Sequence, residues 1–301
     1  MNDLPPLVTV ITPTYNNANY LAETIDSVLA QDYPSIEYIV LDDGSTDHTN
    51  EVLRQYAGQI IAEAHANMGE AKTVNRGFGM ANGDFVMVVN GDDPLLPRAI
   101  VSQVEYLQAH PDVYATYPDW VEIDENSQSL EERLAWDYDY STMVRRVACV
   151  PGPGAMIRKS GIELVSGRNT NYRFVTDMDF WFRLAMHGSL AHIPQFLATH
   201  RTHGASSGVA YRNEVGIEIV NYMQTFFMRD DLPQHVQKLR HEAISSAHVQ
   251  AGTRATNYRD RRQHFLQAFR LYPLNWIINE DCRALWKYGA LLLPEFAYKM
   301  L

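Results

Sequence analysis

Cysteine is nearly missing from this chain: among 301 residues there are two, Cys149 and Cys282. They have no metal-ligand spacing and offer no disulfide framework, which fits a reducing cytosol. Long apolar runs are missing too, and none approaches the ~20 residues that a membrane-spanning helix needs. No basic region precedes an apolar stretch at the N-terminus, so no secretory signal is visible. Basic charge is in deficit, with 25 Lys and Arg against 36 Asp and Glu and a net charge of −11. Nucleic-acid backbones are held by Lys and Arg excess, so nucleic acid is not an expected partner. There is no internal repeat and no low-complexity tract. What is present is an ordinary globular composition, 46% hydrophobic, enough for a sizeable core.

The chain is organised around Phe85-Val86-Met87-Val88-Val89-Asn90-Gly91-Asp92-Asp93-Pro94. A short Val-rich run reads as a strand buried on both faces. In an open α/β sheet ligands sit at the carboxyl ends of strands, so this strand delivers Asp92 and Asp93 to a rim. Adjacent carboxylates repel unless a cation joins them, and oxygen ligands of this kind suit Mg²⁺ or Mn²⁺ alongside substrate phosphates. A plain polar turn is the competing reading of the same residues.

Other segments repeat the pattern. Leu7 to Ile11 is a strand ending in Thr12-Pro13-Thr14-Tyr15-Asn16. Leu21, Ile25, Val28 and Leu29 mark a helix face that stops before Tyr33-Pro34. Ile36 to Leu41 is a second strand, and Asp42 to Asp47 supplies a turn and a helix cap. Val52, Leu53 and Tyr56 suggest a short helix, Ile60-Ile61 a weak strand, and Glu70 to Ala81 a helix interrupted by Gly77 and Gly79. Strands alternating with helices imply βαβ units and a mostly parallel sheet. Beyond Pro97 the pattern predicts a helix to about His110, strands at 113–117 and 120–123, an exposed polar stretch at 125–133, and a rigid turn from Pro151 into an apolar segment. A helix follows from Thr176 and a short apolar strand before Arg201. From about Tyr211 the chain reads as helical, with a boundary near residue 208 dividing domains at 1–208 and 209–301.

Chemistry follows from what a nucleotide diphosphate needs. Tyr15 suits stacking on a base, and Asp43 suits a hydrogen bond from the base edge. Asp92 and Asp93 suit the cation, which acts as a Lewis acid on a leaving diphosphate. Asp177 suits removal of a proton from an attacking hydroxyl. Asp42 either touches ligand or braces its turn, and Asn67 and Asn75 either touch ligand or serve backbone geometry. Asp179 and Arg183, four apart on one helix, favour a structural ion pair over catalysis. His203, with Arg201, follows the last strand and either reaches the diphosphate or metal or is a structural histidine. Lys72 and Arg76 fit a solvated face better than a phosphate site.

The ordered set Val10-Ile11-Thr12-Pro13-Thr14-Tyr15-Asn16, Leu41-Asp42-Asp43-Gly44-Ser45-Thr46-Asp47, Asn67-Met68-Gly69, Asn75-Arg76-Gly77, Asn90-Gly91-Asp92-Asp93 and Thr176 through Arg183 resembles family-2 glycosyltransferases of the GT-A fold. The likeness covers about residues 5 to 208 and leaves the tail unexplained. It implies an α/β nucleotide-diphospho-sugar transferase sheet flanked by helices, with a C-terminal helical extension. It implies a metal-dependent inverting transfer of one sugar to an acceptor hydroxyl in cell-surface glycan or polysaccharide synthesis. Thr12, Pro13, Tyr15, Asp42, Asp43, Asn67, Asn75, Asn90, Asp92 and His203 would bind the nucleotide sugar, Asp92 and Asp93 the Mg²⁺ or Mn²⁺, and Asp177 would be the base. The donor would be of UDP, GDP or dTDP type, and the acceptor a glycan or a lipid-linked molecule. Cytoplasmic location is expected; Trp276, Leu285, Trp286, Tyr288 and Leu291 to Leu293 read as core of the tail, with contact at the inner membrane face or self-association as the alternative. Two positions depart from the usual pattern, Asn90 for an acid and Thr176 for a Glu. The Gln-X-X-Arg-Trp signature of processive synthases is absent, which points to single-sugar addition. The alternative is a sugar-nucleotide-binding protein of the same fold that has lost turnover.

Rival enzymes fit less well. A haloacid-dehalogenase-type phosphatase needs Asp-X-Asp, whereas Asp42 and Asp43 are adjacent. A dinucleotide oxidoreductase needs Gly-X-Gly-X-X-Gly after the first strand, and Thr12 to Asn17 contains no glycine. A nucleotidyltransferase would carry a Gly-rich basic loop there.

Overall fold

β-Branched and apolar runs become the central strands of an eight-stranded sheet, in a computed structural model that describes residues 4–202 and 210–273. The first half of the chain runs β1 (Val8–Thr14), α1 (Leu21–Leu29), β2 (Ile36–Asp42), α2 (Thr49–Gln55), β3 (Ile61–Ala64), α3 (Glu70–Met80), β4 (Phe85–Val88) and α4 (Ala99–Ala109). Then come β5 (Val113–Ile123), β6 (Ser129–Arg133), α5 (Tyr140–Arg146), β7 (Met156–Arg158), α6 (Lys159–Val165), α7 (Thr176–Leu184) and β8 (Ser189–Arg201). The strand order is β3-β2-β1-β4-β7-β5-β6, and β8 pairs with β5. β1 lies parallel to β2 and β4, β2 to β3, and β5 to β8, whereas β7 runs antiparallel to both β4 and β5. A mostly parallel sheet needs both faces covered, and β1 is buried at every residue. Leu21, Ile25 and Val28 pack α1 onto the core beside Val8, Val10 and Met87. Leu29, expected on that face, is 40% exposed.

The differences from the sequence reading have local causes. β5 continues unbroken through Pro118, because the ladder to β8 absorbs register shifts on either side of Asp119. The polar stretch ending at Arg133 forms β6, an edge strand exposed at every residue, so it carries no apolar alternation to read. α3 passes through Gly77 and Gly79 without interruption. β8 is 13 residues long and continues past Pro194.

The chain forms two units, one of residues 1–138 and 149–203 and the other of 139–148 and 204–301. A single break near residue 208 therefore misses an excursion, because 139–148 belongs with the later helices. There α5 buries Met143 and Val144, and Gln250 donates Nε2 hydrogen bonds to the carbonyls of Arg146 (3.1 Å) and Val147 (2.8 Å). The second unit continues with α8 (Arg212–Phe226), α9 (Gln234–Gln237), α10 (Arg240–Arg254) and α11 (Tyr258–Leu271). His248 on α10 and His264 on α11 face each other with their Nδ1 atoms 3.0 Å apart and ring centroids 5.3 Å apart. Among the described residues no helix is long and apolar enough to cross a membrane. The tail beyond residue 273 lies outside the described residues.

Candidate active site

Parallel β1, β2 and β4 end at one edge of the sheet, which gathers their following loops on one rim. The Asp43 amide donates to the Thr14 carbonyl at 2.9 Å. On the other side Gly91 presses on the same residue: a Cβ there would lie 2.9 Å from Thr14 Oγ1, so only glycine fits without displacing it. The two acidic loops thus meet across the end of β1. Because β7 runs against β4, residues preceding β7 reach this rim as well.

Asp43 is 4% exposed, and its carboxylate braces the next loop. Oδ1 accepts from the Met68 amide at 2.7 Å and Oδ2 from the Gly69 amide at 2.9 Å, while Asn67 Nδ2 donates to the Asp43 carbonyl at 2.9 Å. Asp43 and Asn67 therefore build the turn into α3, and Tyr15, 49% exposed, stands open on the rim. Asp42 closes its own turn by accepting from the Ser45 amide at 2.9 Å; its Oδ2 is buried without a partner among the described residues. Two expected donor contacts are corrected. Thr12 and Pro13 lie inside β1, fully covered, and Thr12 Oγ1 hydrogen-bonds the Tyr38 hydroxyl at 3.0 Å, because the strand runs three residues further than its apolar run suggests. Asn75 is the third correction: its Nδ2 donates to the Arg168 carbonyl and its Oδ1 accepts from the Arg168 amide, both at 2.8 Å, so its amide is satisfied by backbone.

The turn after β4 splits the two acids. Asp93 is buried, its Oδ1 accepting from the Arg201 amide at 2.8 Å and its Oδ2 from Asn90 Nδ2 at 3.0 Å. Expected as a metal ligand, it has both oxygens engaged by donors, and burial, then the Asp92 charge, raises its carboxyl to about 6. Asn90 serves Asp93 in turn. Asp92 is half-buried, and its carbonyl accepts from Arg201 Nε at 2.9 Å. Arg201 is fully buried and also donates to the Asp124 carbonyl (2.9 Å), Ser127 Oγ (3.0 Å) and Glu23 Oε2 (2.7 Å), with its guanidinium 4.6 Å from the Tyr20 ring centroid. It anchors the acid turn, a role the sequence did not disclose. His203 lies outside the described residues. Three residues earlier, His200 Nδ1 pairs with Glu122 Oε2 at 2.9 Å. Burial pulls its pKa down, but the Asp93 and Glu122 charges outweigh this and leave it raised.

This donor set fits a divalent cation in one way. No cluster of three or more His, Cys, Asp or Glu among the described residues could hold a metal unaided. Asp92 is the less buried acid of its turn, and Mg²⁺ or Mn²⁺ is commonly held by one or two carboxylates plus substrate phosphates.

Asp177 sits in the first turn of α7, half-buried, with Oδ1 accepting from the Met178 amide at 2.7 Å. Burial raises its carboxyl, the Arg168 charge opposes that, and Glu70 adds to it. Arg168 Nη1 donates to Glu70 Oε1 at 2.6 Å, and Glu70 opens α3 directly after the turn that Asp43 holds. Asp43, Gly69, Glu70 and Arg168 are thus linked in series by a hydrogen bond, a peptide bond and an ion pair. The thiol of Cys149, on the stretch that enters β7, is pushed well up by burial and then by Asp177. Asp179 accepts from Arg183 Nε at 2.7 Å, and Arg183 also donates to the carbonyls of Val165 and Gly167, fixing the turn that carries Arg168.

Comparison with known proteins gives a consistent picture. The family described as "Glycosyl transferase family 2" matches residues 9–165. An uncharacterised glycosyltransferase of Rickettsia typhi is 29% identical over 214 residues, 68% of this chain and 67% of that protein. A putative teichuronic acid biosynthesis glycosyltransferase, TuaG of Bacillus subtilis, is 37% identical over 112 residues, 36% of this chain and 44% of its own. Among solved structures, a mannosyltransferase of Pyrobaculum calidifontis in complex with GDP-Man and Mn²⁺ aligns with TM-score 0.64 at 19% identity, covering 99% of this chain and 83% of that one. S. aureus TarS 1-349 in complex with UDP-GlcNAc aligns with TM-score 0.58 at 15% identity, covering 90% of each.

Proposed function

This chain belongs to glycosyl transferase family 2, and we propose that it moves one sugar, with inversion, from a nucleotide-diphosphate sugar to an acceptor hydroxyl. The observation that carries this reading is the rim itself: the Asp43 amide is tied to the end of β1, and its carboxylate holds the Met68 and Gly69 amides of the turn into α3, beside the acid turn that follows β4. Tyr15 stacks on the base, and the 67–69 turn held by Asp43 receives the nucleoside. Asp177 accepts the proton of the attacking hydroxyl. An in-line displacement sets base and leaving group on opposite faces of the anomeric carbon, so the base belongs on a segment other than the acid turn. Asp92 would hold Mg²⁺ or Mn²⁺ together with the donor phosphates, and the cation, when bound, would stabilise charge on the leaving diphosphate.

A UDP-, GDP- or dTDP-sugar donor is supported by the structural neighbours, one in complex with GDP-Man and Mn²⁺ and one with UDP-GlcNAc. A glycan or lipid-linked acceptor and a role in cell-surface polysaccharide synthesis are supported by the name of the TuaG relative. The test is a melting-temperature screen of nucleotide sugars with and without Mn²⁺, followed by nucleotide release. One donor should stabilise the protein in a chelator-sensitive way and be consumed. Flat melting across all diphosphate donors would remove the reading, and binding without any release would leave the turnover-deficient alternative.

A further inference from the structure

The end of β8 is stitched alongside the acid turn. Leu96 donates its amide to the Leu197 carbonyl at 3.0 Å, Thr199 its amide to the Pro94 carbonyl at 3.2 Å, and Arg201 its amide to Asp93 Oδ1 at 2.8 Å. Thr199 and Arg201 are buried, whereas the side chain of His200 between them is 46% exposed. In the ladder with β5, His200 stands opposite Glu122, and its Nδ1 meets Glu122 Oε2 at 2.9 Å. A carboxylate only accepts, so Nδ1 is the donor of this pair. The other oxygen of Glu122 accepts from Trp120 Nε1 at 3.0 Å, and that indole packs against the core. A Cβ on Gly152 would lie 3.1 Å from the same ring, so the stretch before β7 closes over it. Glu122 is therefore fixed from behind and fixes the imidazole in turn. The second ring nitrogen, Nε2, points away from Glu122 and has no hydrogen-bond partner among the described residues.

We infer that His200 is a ligand of the donor diphosphate through Nε2, and that Glu122 is the positioning residue that aims it. The inference rests on the reading of the Asp92 turn as the diphosphate end of the donor site. Arg201, one residue on, holds the Asp92 carbonyl through Nε at 2.9 Å and Asp93 through its amide, so His200 stands one peptide from the groups that grip both acids. A diphosphate brings further negative charge to this acidic turn, more than one divalent cation offsets. Arg201 does not supply the balance, because it is fully buried and spends its donors on Asp92, Asp124, Ser127 and Glu23. His200 is half-exposed at the same place. Burial disfavours its protonated ring, but the Asp93 and Glu122 charges outweigh this, so Nε2 carries a hydrogen to donate. A hydrogen bond from such a ring to a phosphate oxygen is of the strong, charge-assisted kind.

The experiment is isothermal titration of the full chain at neutral pH with UDP, GDP and dTDP and with the matching monophosphates, each in EDTA and in Mn²⁺. His200→Gln should lose roughly tenfold in affinity for the diphosphate that binds, in both media, while affinity for its monophosphate stays near wild type. Glu122→Gln should lose part of the same increment. A loss shared equally by diphosphate and monophosphate is what a merely structural histidine gives and would overturn the inference, as would an unchanged diphosphate affinity. A loss confined to the Mn²⁺ titrations would make His200 a metal ligand and also overturn it. The reading beneath fails differently: no nucleoside diphosphate would then bind the wild-type chain, and the inference would fall with it.

Discussion

Asn75 and Arg168 are 93 positions apart, yet the side-chain amide of the first replaces the backbone partner of the second, donating to its carbonyl and accepting from its amide at 2.8 Å each. The pairing is possible because Gly167 takes a left-handed turn with no side chain in the way. Gly167→Ala places a methyl group against Asn75 in a conformation that L-residues resist. Its expected cost is about 2 kcal/mol, from backbone strain and two weakened hydrogen bonds. Asn75→Ala should cost a similar amount, and the double variant should cost less than the sum, measured as a cycle in urea melts.

Removing the proposed base separates binding from chemistry. Asp177→Asn should lower sugar transfer by about 10²–10⁴-fold while leaving donor affinity near wild type. Isothermal titration beside a nucleotide-release assay distinguishes the two.

Asp92 and Asp93 should part company although they are neighbours. Asp92→Asn should abolish the Mn²⁺-dependent part of nucleotide-sugar stabilisation while the melting temperature of the free protein barely moves. Asp93→Ala should lower that melting temperature, because it strips partners from the Arg201 amide and from Asn90. Identical behaviour of the two variants would contradict the division of roles described above.

Among the described residues Arg201 is the largest fully buried side chain, and its donors reach Asp92, Asp124, Ser127 and Glu23. Arg201→Met keeps most of its volume but leaves buried carbonyls without partners. A loss of about 3 kcal/mol is expected, less than for a pair buried at both ends, because Glu23 keeps water contact. The read-out is the denaturant midpoint.

The helical unit should loosen in acid. Burial and the neighbouring His264 push His248 down to about 4. Its folded pKa lies below the ordinary value of about 6.5, so the fold favours the neutral ring. That stabilisation is complete above about pH 6.5 and is lost as pH falls toward 4. The centroid and Nδ1 distances set the two nitrogens nearly in line, an arrangement suited to one shared proton and opposed by two. Hydrogen exchange in residues 240–271 should accelerate over that range, and His248→Gln should flatten the dependence.

The first half of the sheet was legible because its signals are local. Val8 to Ile11, Ile36 to Leu41 and Phe85 to Val88 are largely apolar runs that end in polar loops, two of them acidic, and a parallel sheet turns that repetition into one rim. What could not be read depends on partners far away in the chain. Nothing near Asn75 announces Arg168, and nothing near Arg201 announces Glu23, 178 positions earlier. Asp93 looks like Asp92 in sequence, and only the Arg201 amide and Asn90 tell them apart. β7 has three residues, too few for any period to show. One signal was available: Trp120 and Glu122 alternate on β5 as His200 and Thr202 do at the end of β8, and the structure joins all four through Glu122.

The reversal of β7 carries a lesson about inheritance. In an all-parallel sheet, a segment gains access to the catalytic edge only by following a strand, so each new visit demands another crossover helix. One strand laid the other way admits residues that come before it, here 149–154. Lengthening the chain just upstream of β7 would therefore change what stands at that edge without adding a crossover helix beneath the sheet.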